Sequence, residues 1–339
     1  AAKNKLAGMR RELAQLKKKA PPAPPMVHTL SEGQPANMRV YLRGNPDKEG
    51  DVAPRRFLRI LAGDNPPSFM QGSGRLELAR AIASPNNPLT ARVLVNRIWQ
   101  HHFGRGIVGT PSNFGKLGER PTHPELLDHL ATRFIASGWS IKALHREILL
   151  SATYRLSSER DERNAAIDPD NRLLWRMNRR RLDVESWRDA LLAASGELDG
   201  NIGGPPVDLG SAANKRRTLY GKISRHNLDS LLRLFDFPDP NITSGARPVT
   251  IVPLQQLFVL NSEFMIARAH SLAAKLAAEE KDDVARIRKA FVRLFGRDAN
   301  EREVQMGLAF LGTAEKTALI PWEQYAQVLL SANEFAFVD

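Results

Sequence analysis

From Leu76 to the end, the chain repeats one pattern. A helix-starting residue comes first, then a few turns with apolar side chains three and four apart, then a glycine, asparagine or proline. That periodicity with those boundaries argues helix after helix. Leu76–Ala83 is closed by Ser84-Pro85-Asn86-Asn87-Pro88. Thr90 reads as the N-cap of a helix running to Phe103, with Gly104 as its stop. Thr122-His123-Pro124-Glu125 has capping-box spacing and predicts a helix over 123–137. Ser140 opens 141–153, and Asp183 opens 184–195 ahead of Gly196. The Ala/Leu-rich segment 252–279 is expected to break near Asn261-Ser262. Segment 283–295 ends at Gly296, Asn300 with Glu303 opens 301–312, and Pro321 starts 321–332. Against these, Arg39–Arg43 and Thr218–Arg225 alternate as short strands and are expected to pair with each other. Two such strands make a ribbon, not a β domain. The expected fold is mainly α, an irregular multi-helix domain with a minor two-stranded β ribbon.

The first residues differ from the rest. Leu6, Met9, Leu13 and Leu16 form one apolar stripe on a helix that otherwise carries Lys3, Lys5, Arg10, Arg11, Lys17, Lys18 and Lys19 against Glu12 alone. The proline-rich run at 21–25 makes a stiff spacer. We expect residues 1–25 to be a basic amphipathic helix with its linker, packing on another chain or domain. Residues 26–339 then form the main helical domain, with a sub-boundary near 200–250, where Gly, Pro, Asp and Asn are concentrated. Phe235, Phe237, Ile242 and Val249 suggest that this long connection packs down. The start has neither an initiator Met nor an apolar signal-peptide core, so the chain reads as a piece of something longer.

A chain of 339 residues, 42% of them hydrophobic, can bury a large core. It contains no apolar run long enough for a membrane-spanning helix. The absence of cysteine excludes disulfides, thiolate catalysis, Cys-ligated metal sites and covalent haem attachment within these residues. No cofactor is expected in the chain itself. The net charge of +12 is concentrated in the basic tail and otherwise spread through the body. Without a recognisable DNA- or RNA-binding module, nucleic acid is not the expected partner.

The residues able to do chemistry concentrate in 87–124. His101 and His102 are adjacent, so on a helix their side chains diverge by roughly 100° and cannot chelate one ion. Glu125 and His129 lie four apart, with His123 nearby, but capping accounts for Glu125, and no metal is expected. His102, His145 and Met177 are formal axial haem ligands, each better read as core or surface. Asp236 and Asp239 flank Phe237-Pro238 as paired acids a glycosidase could use, or as turn caps. No GxSxG elbow exists. Candidate catalytic residues are therefore His101, His102, His123, Asp236 and Asp239. Candidate ligand-binding residues are Arg97, Arg105, Arg120, Arg179, Arg180, Arg181 and Arg225, because guanidinium forks hold carboxylate or phosphate bidentately. In a helical core the ordinary use of such arginines is an internal network with acids. An anionic ligand such as an acidic or sulfated glycan is the alternative.

Eight segments carry a family resemblance. They are LRGNP (42–46), NPLTARVLVNRIWQHHFGRGIV (87–108), GERPTHPELLD (118–128) and SGWSIKALHREILLSATYR (137–155), followed by NRLLWRMNRRRLDVESWRDALLAASGEL (171–198), FDFPDPN (235–241), VPLQQLFVLNSEF (252–264) and NEFAFVD (333–339). Together they resemble the C-terminal domain of planctomycete secreted proteins whose longer members carry a cytochrome c-like module near the N-terminus. That family is known only as a domain of unknown function, number fifteen fifty-three in its series. The resemblance implies a mostly helical, extracytoplasmic part of a multidomain polypeptide, with any haem on the upstream module and no established catalytic residues. The leading expectation is a noncatalytic scaffold or interaction module whose partners are other domains or chains of the same secreted protein. Its rival is an extracytoplasmic enzyme or binding protein acting on anionic polysaccharide, with its site at 96–123 and 225–241. Convergence of His101, His102, Arg120, His123, Asp236 and Asp239 in one open pocket would favour the rival. Their engagement in internal hydrogen bonds would favour the scaffold.

Overall fold

The computed structural model describes residues 2–19, 26–315 and 318–338. It divides into two compact units, Ala1–Asn87 and Pro88–Asp339.

In the first unit α1 (Ala2–Lys19) is one continuous helix, and Leu6, Met9, Leu13 and Leu16 are all exposed on it. The expected proline-rich spacer lies outside the described residues. β1 (Met38–Tyr41) pairs antiparallel with β2 (Glu49–Ala53). This corrects the expected pairing of Arg39–Arg43 with Thr218–Arg225. The hairpin closes locally, with Leu42 N–H donating to Lys48 O at 2.9 Å and Asp47 N–H to Asn45 Oδ1 at 2.9 Å. Closing a short loop costs far less chain entropy than joining distant segments. Thr218–Tyr220 is instead a single tight turn. Two short helices, α2 (Arg59–Ala62) and α3 (Arg75–Ile82), complete the unit.

The second unit starts with α4 (Thr90–Phe103), α5 (Pro124–Ala136) and α6 (Ile141–Leu149). They enclose a core in which Val95, Phe103, Phe134 and Ile148 are buried and Trp99 stacks on Phe103 with centroids 4.2 Å apart. Ser140 caps α6 as expected, accepting from Ala143 N–H at 3.2 Å. Three boundaries depart from expectation. Leu89, not Thr90, is the N-cap of α4. His123 occupies the N-cap of α5 without a side-chain cap, because the Thr122 hydroxyl bonds His123 Nδ1 at 2.9 Å instead. α6 stops at Leu149, where the Ser151 hydroxyl donates to Ile148 O and accepts from Tyr154 N–H, a local competitor of the helical ladder.

After α7 (Glu162–Ile167), which buries no side chain, and β3 (Arg180–Arg181), a second core is built by α8 (Val184–Ala194), α9 (Ser230–Leu234), α10 (Pro253–Asn261) and α11 (Glu263–Glu279) onward. α12 (Asp283–Phe295), α13 (Glu301–Thr313), α14 (Pro321–Leu330), α15 (Asn333–Ala336) and β4 (Phe337–Val338) close the unit, β4 pairing antiparallel with β3. Leu191, Leu192, Leu232, Leu272 and Ile287 form its dry centre. The expected break of 252–279 falls at Ser262, whose hydroxyl caps α11 by accepting from Met265 N–H at 3.3 Å. Asn300 and Glu303 form the expected reciprocal box. The connection 200–250 packs down only in part: Phe235 is buried and stacks on Trp187 at 4.7 Å and Phe237 is half-buried, whereas Ile242 and Val249 stay exposed, against expectation. Arg188 of α8, fully buried, pins part of that connection by donating to Asn214 O at 2.7 Å, Arg216 O at 3.0 Å and Thr218 Oγ1 at 3.1 Å. The protein is mainly α, with two short ribbons among the described residues. No described helix is long and apolar enough to cross a membrane.

Candidate functional site: an arginine-lined cleft

Burial of one face of α4 decides what its other face shows. Ala91, Val95, Ile98, Trp99 and Phe103 turn inward. Arg97, Gln100, His101 and Gly104, spaced three, one and three apart, therefore share the opposite stripe. They form one wall of a cleft enclosing about 830 Å³.

Two devices fix the end of that wall. Gly104 takes φ +81° to end the helix. Beyond it the chain is held by Asn96, which is fully buried in the middle of α4. Its Nδ2 donates to Val108 O at 3.1 Å and its Oδ1 accepts from Val108 N–H at 2.8 Å. Gly106 lies so close that a Cβ there would meet Asn96 at 2.6 Å, so only glycine fits.

The segment before α8 forms the floor by capping α4. Asn178 Nδ2 donates to Phe103 O at 2.9 Å, and Arg180 donates to His101 O. The Arg180 stem lies over Gly104. Donors and positive charge at a helix C-terminus satisfy its free carbonyls and its dipole. This seats Arg179, Arg180 and Arg181 in the cleft. Arg181 is tied further to Thr250 O at 2.7 Å and to Gln255 Oε1 at 3.2 Å, and it lies over the Phe235 ring.

The far wall comes from Pro238, Ser244–Arg247 and Val249, with Phe337 and Val338 of β4 at one end. Arg247 grips Glu185 through both terminal nitrogens, at 2.6 and 2.8 Å, and stacks over Phe237. The hydrogen bond to Glu185 raises the Arg247 pKa above its ordinary value. Burial, the largest single influence, pushes Glu185 up, but the Arg247 fork and charge and the residue's own backbone N–H together hold the carboxyl below its ordinary value. Asp170, Asp183 and Ser186 complete the lining.

The sequence candidates divide. Arg97, Arg105, Arg179, Arg180, Arg181 and His101 all line the cleft. Arg105 pairs with Glu119 at 2.9 Å, and Arg179 donates to Ser158 Oγ at 3.3 Å. Arg97 is exposed and has no partner among the described residues. Arg120 and Arg225 are exposed and stand outside the cleft lining. The other catalytic candidates do not join His101. His102 turns to the opposite side, its Nε2 2.7 Å from His145 Nδ1 and its ring edge-on to Tyr154. Burial, then the neighbouring His145, Arg180 and His101, lower the His102 pKa. His123 bonds Thr122. Asp236, at φ +63°, accepts from Thr250 N–H at 2.9 Å and Thr250 Oγ1 at 2.7 Å. Asp239 accepts from Asn241 N–H at 2.8 Å. No group of three or more metal-capable side chains occurs among the described residues. His129 instead approaches Glu147 at 3.7 Å.

Sequence reasoning missed Asn96, Asn178, Glu185 and Arg247. For Asn96 the available signal was an amide in the middle of an apolar helical stripe. For Glu185–Arg247 there was none, because the partners stand 62 residues apart.

No curated protein and no solved structure matches the chain. A family model does match, over residues 74–311, which is more than half of the sequence, and the chain belongs to that family: PSD1, protein of unknown function (DUF1553).

Proposed function

We propose that this is a noncatalytic interaction module of an extracytoplasmic, secreted multidomain protein of the planctomycete type, with a c-type cytochrome module upstream carrying any haem. Residues 1–25 serve as a tie to neighbouring domains, and residues 26–339 are the family domain. Its partners are other domains or chains of the same protein. One observation carries the reading. Of the five candidate catalytic side chains, His102, His123, Asp236 and Asp239 are each engaged in an internal hydrogen bond, and none of the four lines the cleft that His101 lines. A general acid or base must reach a substrate proton, and groups that hold turns and helix contacts are not placed to do so. A second reading, binding of an anionic polysaccharide, is favoured by the arginine lining of the cleft.

Thermal unfolding of His101→Ala and His102→Ala tests the first reading without knowledge of any substrate. His102→Ala removes the contact to His145 on α6 and lowers the melting temperature. His101→Ala, at an exposed position, leaves it nearly unchanged. Two fully stable variants would shift the weight to an enzyme, whose catalytic residues are often held at some cost to the fold.

A further inference from the structure

We propose that the cleft between α4, β3 and the 238–249 segment binds an acidic oligosaccharide. Arg97 and Arg105 take its anionic groups, and Asp170, Asp183 and Ser186 take its hydroxyls. This rests on the binding reading above and names its ligand and its residues.

The cavity volume of about 830 Å³ lies within the usual range for ligand sites, roughly 300–1,000 Å³. Its lining has two kinds of chemistry. Arginine forks offer donors only, and Arg97 has no internal acceptor among the described residues. Arg105 uses one terminal nitrogen on Glu119, leaving the rest of its fork for a ligand. Asp170 and Asp183 are acceptors only and stand in the same cleft, Asp183 with Arg247 4.0 Å away and Asp170 with no cation beside it among the described ion pairs. A ligand carrying acceptors alone, such as a phosphate chain, is attracted by the arginines and repelled by the aspartates. A ligand carrying both anionic oxygens and hydroxyl hydrogens satisfies both sets, and a uronate or sulfated sugar is that chemistry.

Single-stranded nucleic acid needs exposed aromatic platforms for its bases. The lining has none: Phe103 is fully buried and Phe337 is half-buried. Neutral sugar would leave the Arg97 fork without a charged acceptor, since Arg105 alone of the two already holds Glu119.

The test is calorimetry on the whole chain in 0.15 M salt. The probes are an oligogalacturonate, a sulfated oligosaccharide of equal length, the methyl-esterified oligogalacturonate, a single-stranded oligonucleotide and an oligoglutamate. Binding of either acidic oligosaccharide at least about tenfold tighter than the last three supports the site, a tenfold difference being about 1.4 kcal/mol. Arg97→Ala and Asp170→Asn should each weaken that binding about fivefold or more, within the usual range for contact residues, at an unchanged melting temperature. Substituting Lys5, Arg10, Arg11 and Lys17 of α1 with Gln should leave it within about twofold, because unspecific attraction to basic tails is a salt-screened term. The proposal is overturned if the oligonucleotide or oligoglutamate binds equally well. It is overturned too if the α1 variant loses binding while Arg97→Ala keeps it, or if nothing binds. Cleavage of the oligosaccharide would sink the noncatalytic reading and leave the site standing. Absence of binding would sink the site and leave the noncatalytic reading standing.

Discussion

Asn96 gives the sharpest test of how the cleft is held. Its amide is the sole described side-chain partner of both the Val108 N–H and the Val108 carbonyl, and both residues are buried. Asn96→Ala removes a donor and an acceptor at once and leaves two backbone groups shielded from water. Each unsatisfied buried group costs about 1–3 kcal/mol, so the substitution should cost about 2–6 kcal/mol in all. Asn96→Asp separates the two bonds. It keeps an acceptor for Val108 N–H but faces the Val108 carbonyl with a second acceptor, and burial disfavours its charge. It should be at least as harmful as Ala at neutral pH and less so in acid, where the carboxyl gains a proton to donate. Urea unfolding followed by tryptophan fluorescence reads both, since Trp99 lies on the same helix. The loop that Asn96 holds also carries Arg105, so affinity of the cleft should fall with stability. An Asn96→Ala variant within about 1 kcal/mol of the parent, the net worth of one ordinary hydrogen bond, would refute the reasoning.

Phe103 is fully buried and stacked on Trp99, so Phe103→Ala should cost about 3–5 kcal/mol in the same assay, and a much smaller loss would show a core that collapses around the gap. His102 is held below its ordinary pKa, first by burial, so the unfolded ring takes its proton before the folded one. Its contribution to stability is full above about pH 6.5 and is lost as pH falls below that, and His102→Phe should flatten stability between pH 7.5 and 5; an unchanged slope would exclude this residue as the source. Glu185 is also held low, so its contribution is present above about pH 4.3 and disappears as pH falls through the depressed value. Arg247→Met should remove that acid-dependent step, which the urea midpoint followed from pH 6 to 3 would detect.

What the sequence made legible was local chemistry. Gly104 and Gly296 end helices because a left-handed residue closes the last turn, and both adopt positive φ. Ser140, Ser262 and Asn300 cap because their acceptors lie three residues from the donors they serve. The same logic failed at Thr122, whose hydroxyl had a neighbour of higher claim in His123. It failed for the strands because two alternating segments carry no record of their partner, and a seven-residue closure at 42–48 prevailed over a distant one. The site was legible as a set of arginines and opaque as a constellation. Arg97, Arg105 and Arg179–Arg181 could be named from residue type alone. That Asp236 serves Thr250, or that Arg180 reaches His101, depends on contacts across 14 and 79 residues. Periodicity does not report such distances.

Arg97 and Arg180 look alike in the sequence and line the same cleft, yet the structure gives them opposite work. Arg180 donates to the last turn of α4 and covers Gly104, so its charge sits where a helix C-terminus favours it. Removing it leaves a helix-end carbonyl without that donor and uncovers the turn, at a cost of about 1–2 kcal/mol for a charged hydrogen bond near the surface. Arg97, exposed and without a described partner, should be replaceable by Ala within about 0.5 kcal/mol, the ordinary range for such sites. Its loss should appear in ligand affinity instead. Measured together, Arg180→Ala lowers stability and, by loosening the floor, weakens binding as well, whereas Arg97→Ala weakens binding alone. If Arg97→Ala destabilises the protein as much as Arg180→Ala does, then the arginines of this cleft are all structural, and the ligand must be sought elsewhere on the surface.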